Sequence, residues 1–213
     1  VWPGASWSSL DYYGHWKALH YHARRFFEPV AVAALRKHGA TSVSLLNDRT
    51  TALQGELRLR VFDMDGKLLR EEKRTDELPP LSSKAVGEFV DADLLRGADP
   101  KRSVAVFELH VAGEPVSRGF VWFDAAKSLA LPDPGLQARI VKAGDGYRVT
   151  VSAQKLARAV WLDFGDADVQ LSDNAFDLAP GERVEVALRS DAGLDALRKA
   201  LRVRSLADAM GGM

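Results

Sequence analysis

The chain contains no cysteine among its 213 residues. This absence excludes disulfide bridges, thiolate nucleophiles and cysteine-ligated zinc sites. It does not fix the cellular compartment, because proteins without cysteine occur in both reducing and oxidising surroundings.

The chain also lacks an excess of charge and a long apolar run. Its 29 basic residues balance its 29 acidic ones, which predicts no nucleic acid partner and no attraction to an anionic membrane surface. No apolar run approaches the roughly 20 residues that cross a bilayer, and no basic-then-apolar leader opens the sequence. With 46% hydrophobic and 27% charged residues, the composition is typical of a globular protein with one large or two small domains.

Aromatic residues are sparse overall but concentrated at one end. They make up 8% of the chain, yet three of the five tryptophans and three of the four tyrosines lie within residues 1–21. A free terminus is usually polar and poorly ordered unless something holds it. The pattern therefore predicts that this segment packs against a neighbour outside the given sequence.

The aromatic segment continues into a predicted amphipathic helix. Pro29 ends the helix because it disfavours the helical conformation at Glu28. Residues at three-and-four spacing share one helix face, and this face carries Trp16, Leu19, His20, Ala23, Phe26 and Phe27. We expect the face to be buried against another domain, with Trp16, Leu19 and Phe26 as its packing residues.

The remainder reads as two β-sandwiches. Seven strands are predicted in the first, at 30–35, 41–47, 54–62, 67–74, 84–90, 103–111 and 115–124. Leu57, Leu59 and Val61 alternate with charged residues, as in a strand with one wet face. Two prolines in residues 126–134 indicate a linker. A second, smaller sandwich is predicted over 135–213.

Several runs of residues resemble the β-mannosidases of glycoside hydrolase family 2. Residues 2–14 read WPGASWSSLDYYG, residues 17–21 read KALHY, and residues 25–30 read RFFEPV. All three runs are similar to the end of the family's catalytic barrel. Residues 161–165, WLDFG, and 172–182, SDNAFDLAPGE, are similar to its last immunoglobulin-like domain. His15 departs from the family pattern, which has a basic Arg or Lys there.

This resemblance implies a mostly β fold with one leftover barrel helix. Residues 1–28 would be the loop and final helix of a (β/α)8 barrel, 29–125 an immunoglobulin-like sandwich, 126–134 a linker, and 135–213 a smaller immunoglobulin-like sandwich. The implied parent is a retaining exo-glycosidase that removes terminal β-D-mannose. Retaining hydrolysis uses two carboxyl groups about 5 Å apart, and in the family both are glutamates upstream of this segment. The chain would then hold no catalytic residue, no cofactor and no metal.

The same resemblance implies partners and two sugar-contacting residues. The partners are the upstream catalytic barrel and the parent's β-mannoside or manno-oligosaccharide substrate. Trp2 and Trp7 would lie in a loop at the barrel rim, where indole rings stack on sugar faces. The alternative interpretation is that both rings pack between the barrel and the next domain. Because family members occur in lysosomes, periplasm or outside the cell, the resemblance favours a periplasmic or secreted parent.

Other polar clusters have simpler interpretations than a site. His15, His20 and His22 lie within eight residues, but helical geometry separates them too far for one ion. The acidic residues of 173–177, and the pairs Asp63 with Asp65 and Asp91 with Asp93, lack the ligand count of a calcium loop. We expect turn residues that bond to the nearby backbone.

Two other functions are compatible with the sequence. The chain could be the tail of another family 2 enzyme, such as a β-galactosidase, a β-glucuronidase or an exo-glucosaminidase. It could instead be a pair of immunoglobulin-like domains that binds carbohydrate or protein without a catalytic neighbour. The sequence upstream of residue 1 would separate the first alternative from the mannosidase, and a sugar titration would test the second.

Overall fold

The computed structural model describes residues 8–210, and they form two compact units. One unit joins the described residues up to Arg24 with those from Leu131 onwards, and the other runs from Arg25 to Ala130. The N-terminal segment thus groups with the second sandwich, an association that the sequence does not predict. The predicted domain boundaries themselves stay a prediction.

The middle unit is a seven-stranded sandwich, which confirms the predicted β fold. Its strands are β1 (Val30–Lys37), β2 (Ala40–Asn47), β3 (Leu53–Asp63), β4 (Leu68–Leu78), β5 (Ser82–Val90), β6 (Ser103–Val111) and β7 (Glu114–Trp122). A short helix, α2 (Asp91–Leu95), follows β5. The antiparallel sheets have the orders β1-β2-β5 and β4-β3-β6-β7.

Alternating side chains build the core of this sandwich. Leu57, Leu59 and Val61 on β3 are buried as predicted, and they join Phe107 and Leu45 in one apolar cluster. Successive strand residues point to opposite faces, so the charged residues between them face away from this cluster. Burial of this apolar cluster holds the two sheets together.

The predicted turn between β3 and β4 is present. The Asp63 carboxylate accepts hydrogen bonds from the backbone N–H groups of Asp65, Gly66 and Lys67 at 3.1, 2.9 and 2.8 Å. Gly66 has a φ of 113°, which glycine adopts at little cost. Met64 is fully buried although it lies in the turn, a feature that the turn pattern does not predict.

The other unit contains the second sandwich. Its strands are β8 (Gln137–Ala143), β9 (Gly146–Ser152), β10 (Ala157–Asp163), β11 (Gln170–Leu171), β12 (Phe176–Leu178), β13 (Arg183–Arg189) and β14 (Arg202–Arg204). Its two antiparallel sheets have the orders β11-β13-β9-β8 and β12-β10-β14. Two short helices, α3 (Leu194–Ala200) and α4 (Leu206–Met210), lie near its end.

The N-terminal helix contributes to the core of this second sandwich. Helix α1 spans Ala18–Phe26, and its one buried residue is Tyr21. Tyr21 belongs to the same apolar cluster as Val160, Phe176 and Leu188. The unit therefore completes its core with a side chain from the far end of the chain.

The helix face that the sequence predicts to be buried does not contain Tyr21, the buried residue of α1. Trp16 lies before the helix, in an isolated antiparallel bridge with Leu10. Trp16, Leu19 and Phe26 are 37%, 53% and 60% exposed. Their packing against another domain stays a prediction. Within residues 8–210, no helix has the length and apolar character that a bilayer span requires.

Candidate functional site

A tight turn before α1 is organised by Asp11. Its carboxylate accepts hydrogen bonds from the backbone N–H groups of Tyr13 and His15, at 2.8 and 2.9 Å. The imidazole Nδ1 of His15 lies 2.9 Å from the other carboxylate oxygen. Gly14 has a φ of 87° inside this turn. The turn fixes the His15 ring beside the second sandwich, where Nε2 is 3.6 Å from Asp168 Oδ1.

The two ionisable groups of this turn shift each other. The pKa of His15 is raised above 6.5, first by its hydrogen bond to Asp11 and further by the charges of Asp11 and Asp168, against a smaller effect of desolvation. Desolvation raises the pKa of Asp11, but the hydrogen bonds from His15 and Tyr13 together lower it below 3.8. Each partner thus stabilises the charged form of the other.

Tyr21 and Arg24 attach α1 to the second sandwich. The Tyr21 ring meets Trp161 edge-on at a centroid distance of 6.3 Å, and its centroid lies 5.3 Å from that of Trp16. Burial raises the pKa of the Tyr21 hydroxyl, with a contribution from Asp173. One turn further on, the Arg24 guanidinium donates to the Ser172 carbonyl at 2.6 Å. Both contacts lie within one compact unit.

An open cavity of about 470 Å³ lies between the N-terminal segment and this sandwich. One wall is formed by the turn and α1, through Tyr13, Trp16 and Arg24. The other is formed by β11 and β13, where Gln170 and Arg189 are register partners. Paired residues of an antiparallel ladder project to the same face. The cavity is therefore aromatic on one side and polar on the other.

The predicted site residues are distributed unevenly around this cavity. Trp2 and Trp7, the predicted sugar-contacting residues, lie outside the described residues. Trp16 lines the cavity, but Leu19 and Phe26 do not line it. Gln170 and Arg189 were missed, because the pairing that brings β11 beside β13 and both near α1 is non-local. The alternation of β13 predicts only that Arg189 faces outward.

The clustered histidines do not form a site with one another. His15 pairs with Asp11, and His20 Nδ1 lies 3.1 Å from Ser9 Oγ with its ring 4.1 Å from the Trp16 ring. His22 is exposed on α1. Across residues 8–210, no group of three or more His, Cys, Asp or Glu side chains is arranged to hold a metal ion.

The acidic segment of residues 173–177 bonds to the backbone. Asp177 accepts from the Ala159 N–H at 2.7 Å. The amide of Asn174 accepts from the Leu162 N–H at 2.8 Å and donates to the Leu162 carbonyl at 3.0 Å. These are the local and cross-strand bonds expected of a structural loop.

Two family models match successive parts of the chain. A mannosidase Ig/CBM-like domain matches residues 39–128, and a mannosidase Ig-fold domain matches residues 131–209. The matches fall on the first and second sandwich in turn.

Known relatives and solved structures agree with these models. The chain is 28% identical to β-mannosidase A of Aspergillus niger, over 87% of this chain and 22% of that protein. It is 29% identical to the β-mannosidase of Capra hircus, over 83% of this chain and 21% of that protein. The chain thus spans about a fifth of the length of these relatives.

Among solved structures, a β-D-mannosidase from Dictyoglomus thermophilum has the same fold, with a TM-score of 0.82 at 21% identity over 96% of this chain and 25% of that one. An exo-chitosanase from Amycolatopsis orientalis matches with a TM-score of 0.63 at 19% identity, over 93% of this chain and 28% of that one. The sequence relatives and both family models are of the mannosidase type. The chain therefore carries two successive immunoglobulin-like domains of the mannosidase type, a mannosidase Ig/CBM-like domain and an Ig-fold domain.

Proposed function

We propose that this chain is a non-catalytic part of an exo-acting β-mannosidase, where it supports the catalytic barrel. The supporting observation is how much of each relative's length this chain matches. β-mannosidases match more than four fifths of this chain, while the chain covers only 22% and 21% of the two relatives named above. The remaining length of such a protein is where the barrel and both catalytic glutamates would lie.

The exposed aromatic and aliphatic side chains of the N-terminal segment supply a surface for the barrel. Leu19 and Phe26 expose 53% and 60% of their surface, at positions one helix face shares. Contiguous exposed apolar surface marks an interaction site in soluble proteins. In the longer protein, the barrel would cover this face together with Trp16, while Trp2 and Trp7 would lie near its substrate pocket.

An activity assay tests the catalytic part of this proposal. The longer protein and this chain are assayed on aryl β-D-mannoside, with β-galactoside, β-glucuronide and β-glucosaminide as alternatives. We expect the longer protein to hydrolyse the mannoside in preference, and this chain to give no turnover above a buffer blank. Turnover by this chain, or preference of the longer protein for another glycoside, would contradict it.

Charge substitutions test the supporting role. In the longer protein, Leu19→Asp and Phe26→Asp are expected to lower the thermal unfolding temperature, because each buries a carboxylate against the barrel. Leu35→Asp is the matched control, since Leu35 is 69% exposed on β1. In the isolated chain, all three variants should unfold like the wild type. Equal behaviour of the three in the longer protein would refute the packing role.

A further inference from the structure

The cavity between the N-terminal turn and the β11/β13 edge has no role in the proposed function so far. We propose that it is a saccharide site, which takes one or two sugar rings of a manno-oligosaccharide. The identity of the sugar rests on the proposed function, while the saccharide chemistry rests on the cavity itself. All of its walls belong to the unit that contains the second sandwich.

The size and openness of the cavity suit a short oligosaccharide. Its volume of about 470 Å³ lies within the range of small-molecule sites, roughly 300–1,000 Å³. The Tyr13 ring is 80% exposed at its mouth. Aromatic rings of this kind pack against the apolar C–H faces of pyranose rings.

The opposite wall offers polar groups that are not engaged elsewhere in the described chain. Within residues 8–210, neither the Gln170 amide nor the Arg189 guanidinium makes a side-chain hydrogen bond or ion pair. Register pairing holds these two side chains on one face of β11 and β13. An amide donates and accepts, and a guanidinium donates in a planar fork. Together they match the adjacent hydroxyls of a sugar ring.

The lining of the cavity carries charged groups of both signs, which a neutral polyol can contact as donors and as an acceptor. Arg24 already donates to the Ser172 carbonyl. The exposed carboxylate of Asp168 lies on the same wall as Arg189 and faces His15 at 3.6 Å. A sugar hydroxyl can donate to this carboxylate and accept from the Arg189 guanidinium. A neutral polyol uses both the donors and the acceptor present.

A titration of this chain with β-1,4-linked mannobiose and mannotriose, followed by backbone amide NMR, tests the site directly. We expect saturable shifts at Gln170, Arg189 and the turn around Gly14. Arg189→Ala should weaken binding about tenfold, the loss typical of removing one good polar contact. Gln170→Ala should weaken it less. Arg183→Ala is the matched control, because Arg183 lies outward on the same strand but does not line the cavity.

Two results would overturn the saccharide site. One is the absence of saturable shifts in the wild-type chain. The other is an equal loss of binding in Arg189→Ala and Arg183→Ala. Neither result depends on the mannosidase activity of the longer protein, so failure of this site and failure of the proposed function are told apart.

Discussion

The Tyr21 ring lies edge-on against the Trp161 indole, with ring planes at 82° and centroids 6.3 Å apart. The two residues are far apart in the sequence, one on α1 and the other on β10. Tyr21 is only 5% exposed and belongs to the core of the second sandwich. The N-terminal helix is therefore a structural part of the C-terminal domain.

Removing the Tyr21 ring should destabilise this unit specifically. We expect Tyr21→Ala to lower the free energy of unfolding of the second sandwich by about 3 kcal/mol, because it leaves a cavity in a packed core. Tyr21→Phe is the control and should cost less than about 1 kcal/mol, since the described residues give the hydroxyl no hydrogen bond partner. Urea unfolding followed by backbone amide NMR signals of the second sandwich measures both. Equal stability of the two variants would refute the anchoring role.

The Asp11–His15 turn should respond to pH. The folded-state pKa of His15 is raised above 6.5, so its stabilising contribution is present below that pH and is lost as pH rises through the raised value. The pKa of Asp11 is lowered below 3.8, so its contribution is present above 3.8 and is lost as pH falls through the lowered value. The turn is then best stabilised between these two limits.

An NMR titration of the His15 imidazole checks this coupling. Asp11→Asn should lower the pKa of His15 more than Asp168→Asn does, because Asp11 is the larger cause of the shift and lies closer, at 2.9 Å against 3.6 Å. The reverse order, or no change in either variant, would show that the turn does not hold the ring as described.

A buried asparagine organises the first sandwich. Asn47 is fully buried, and its amide nitrogen lies within hydrogen-bond distance of the carbonyls of Thr51, Leu78 and Pro79 at 2.9, 3.1 and 3.0 Å. Asn47→Ala should cost about 3 kcal/mol, because buried carbonyls lose their donor.

The isosteric variant Asn47→Asp should destabilise the first sandwich no less than Asn47→Ala does. Asn47→Asp keeps the acceptor for the Arg49 N–H but turns a second oxygen towards three carbonyls. We expect it to destabilise the unit at least as much as the alanine variant. A thermal unfolding series at neutral pH measures both, and an aspartate variant as stable as the wild type would contradict this reading of the bonds.

Alanine substitutions at two strand glycines should change the stability by very different amounts. A Cβ on Gly146 would lie 2.7 Å from the Leu188 backbone oxygen, whereas one on Gly119 would meet only the Ala34 side chain at an ordinary 3.7 Å. Gly146→Ala should cost more than about 1 kcal/mol because backbone must shift. Gly119→Ala should be neutral, or stabilise the fold by about 0.5 kcal/mol, because alanine reduces the conformational entropy of the unfolded chain. Similar changes in denaturation midpoint for both variants would contradict the close approach.

Local patterns were sufficient to predict the mostly β fold class. Alternation in β3 and the Asp63 turn placed the strands of the first sandwich, and the predicted strand at 103–111 coincides with β6. Helix α2 was missed because its five residues, Asp91–Leu95, are too few to show a helical period. The mannosidase family was recognisable from short motifs at both ends of the sequence.

Local sequence patterns could not predict the candidate cavity. Periodicity on α1 indicated the face of Trp16, Leu19 and Phe26, yet the buried position is Tyr21, which lies off that face. Its burial depends on a sandwich formed more than a hundred residues later. Likewise, Gln170 and Arg189 meet only through strand pairing. Such contacts depend on tertiary structure, which outweighs local preference.

Hydroxyl-radical footprinting of this chain and of the longer protein is the most direct test of the central claim, that a catalytic barrel covers Trp16 and the exposed face of α1. Oxidation of Trp16, Leu19 and Phe26 should fall at least severalfold in the longer protein, while that of the exposed control Leu35 stays the same. Equal oxidation of the three residues in both proteins would contradict the account.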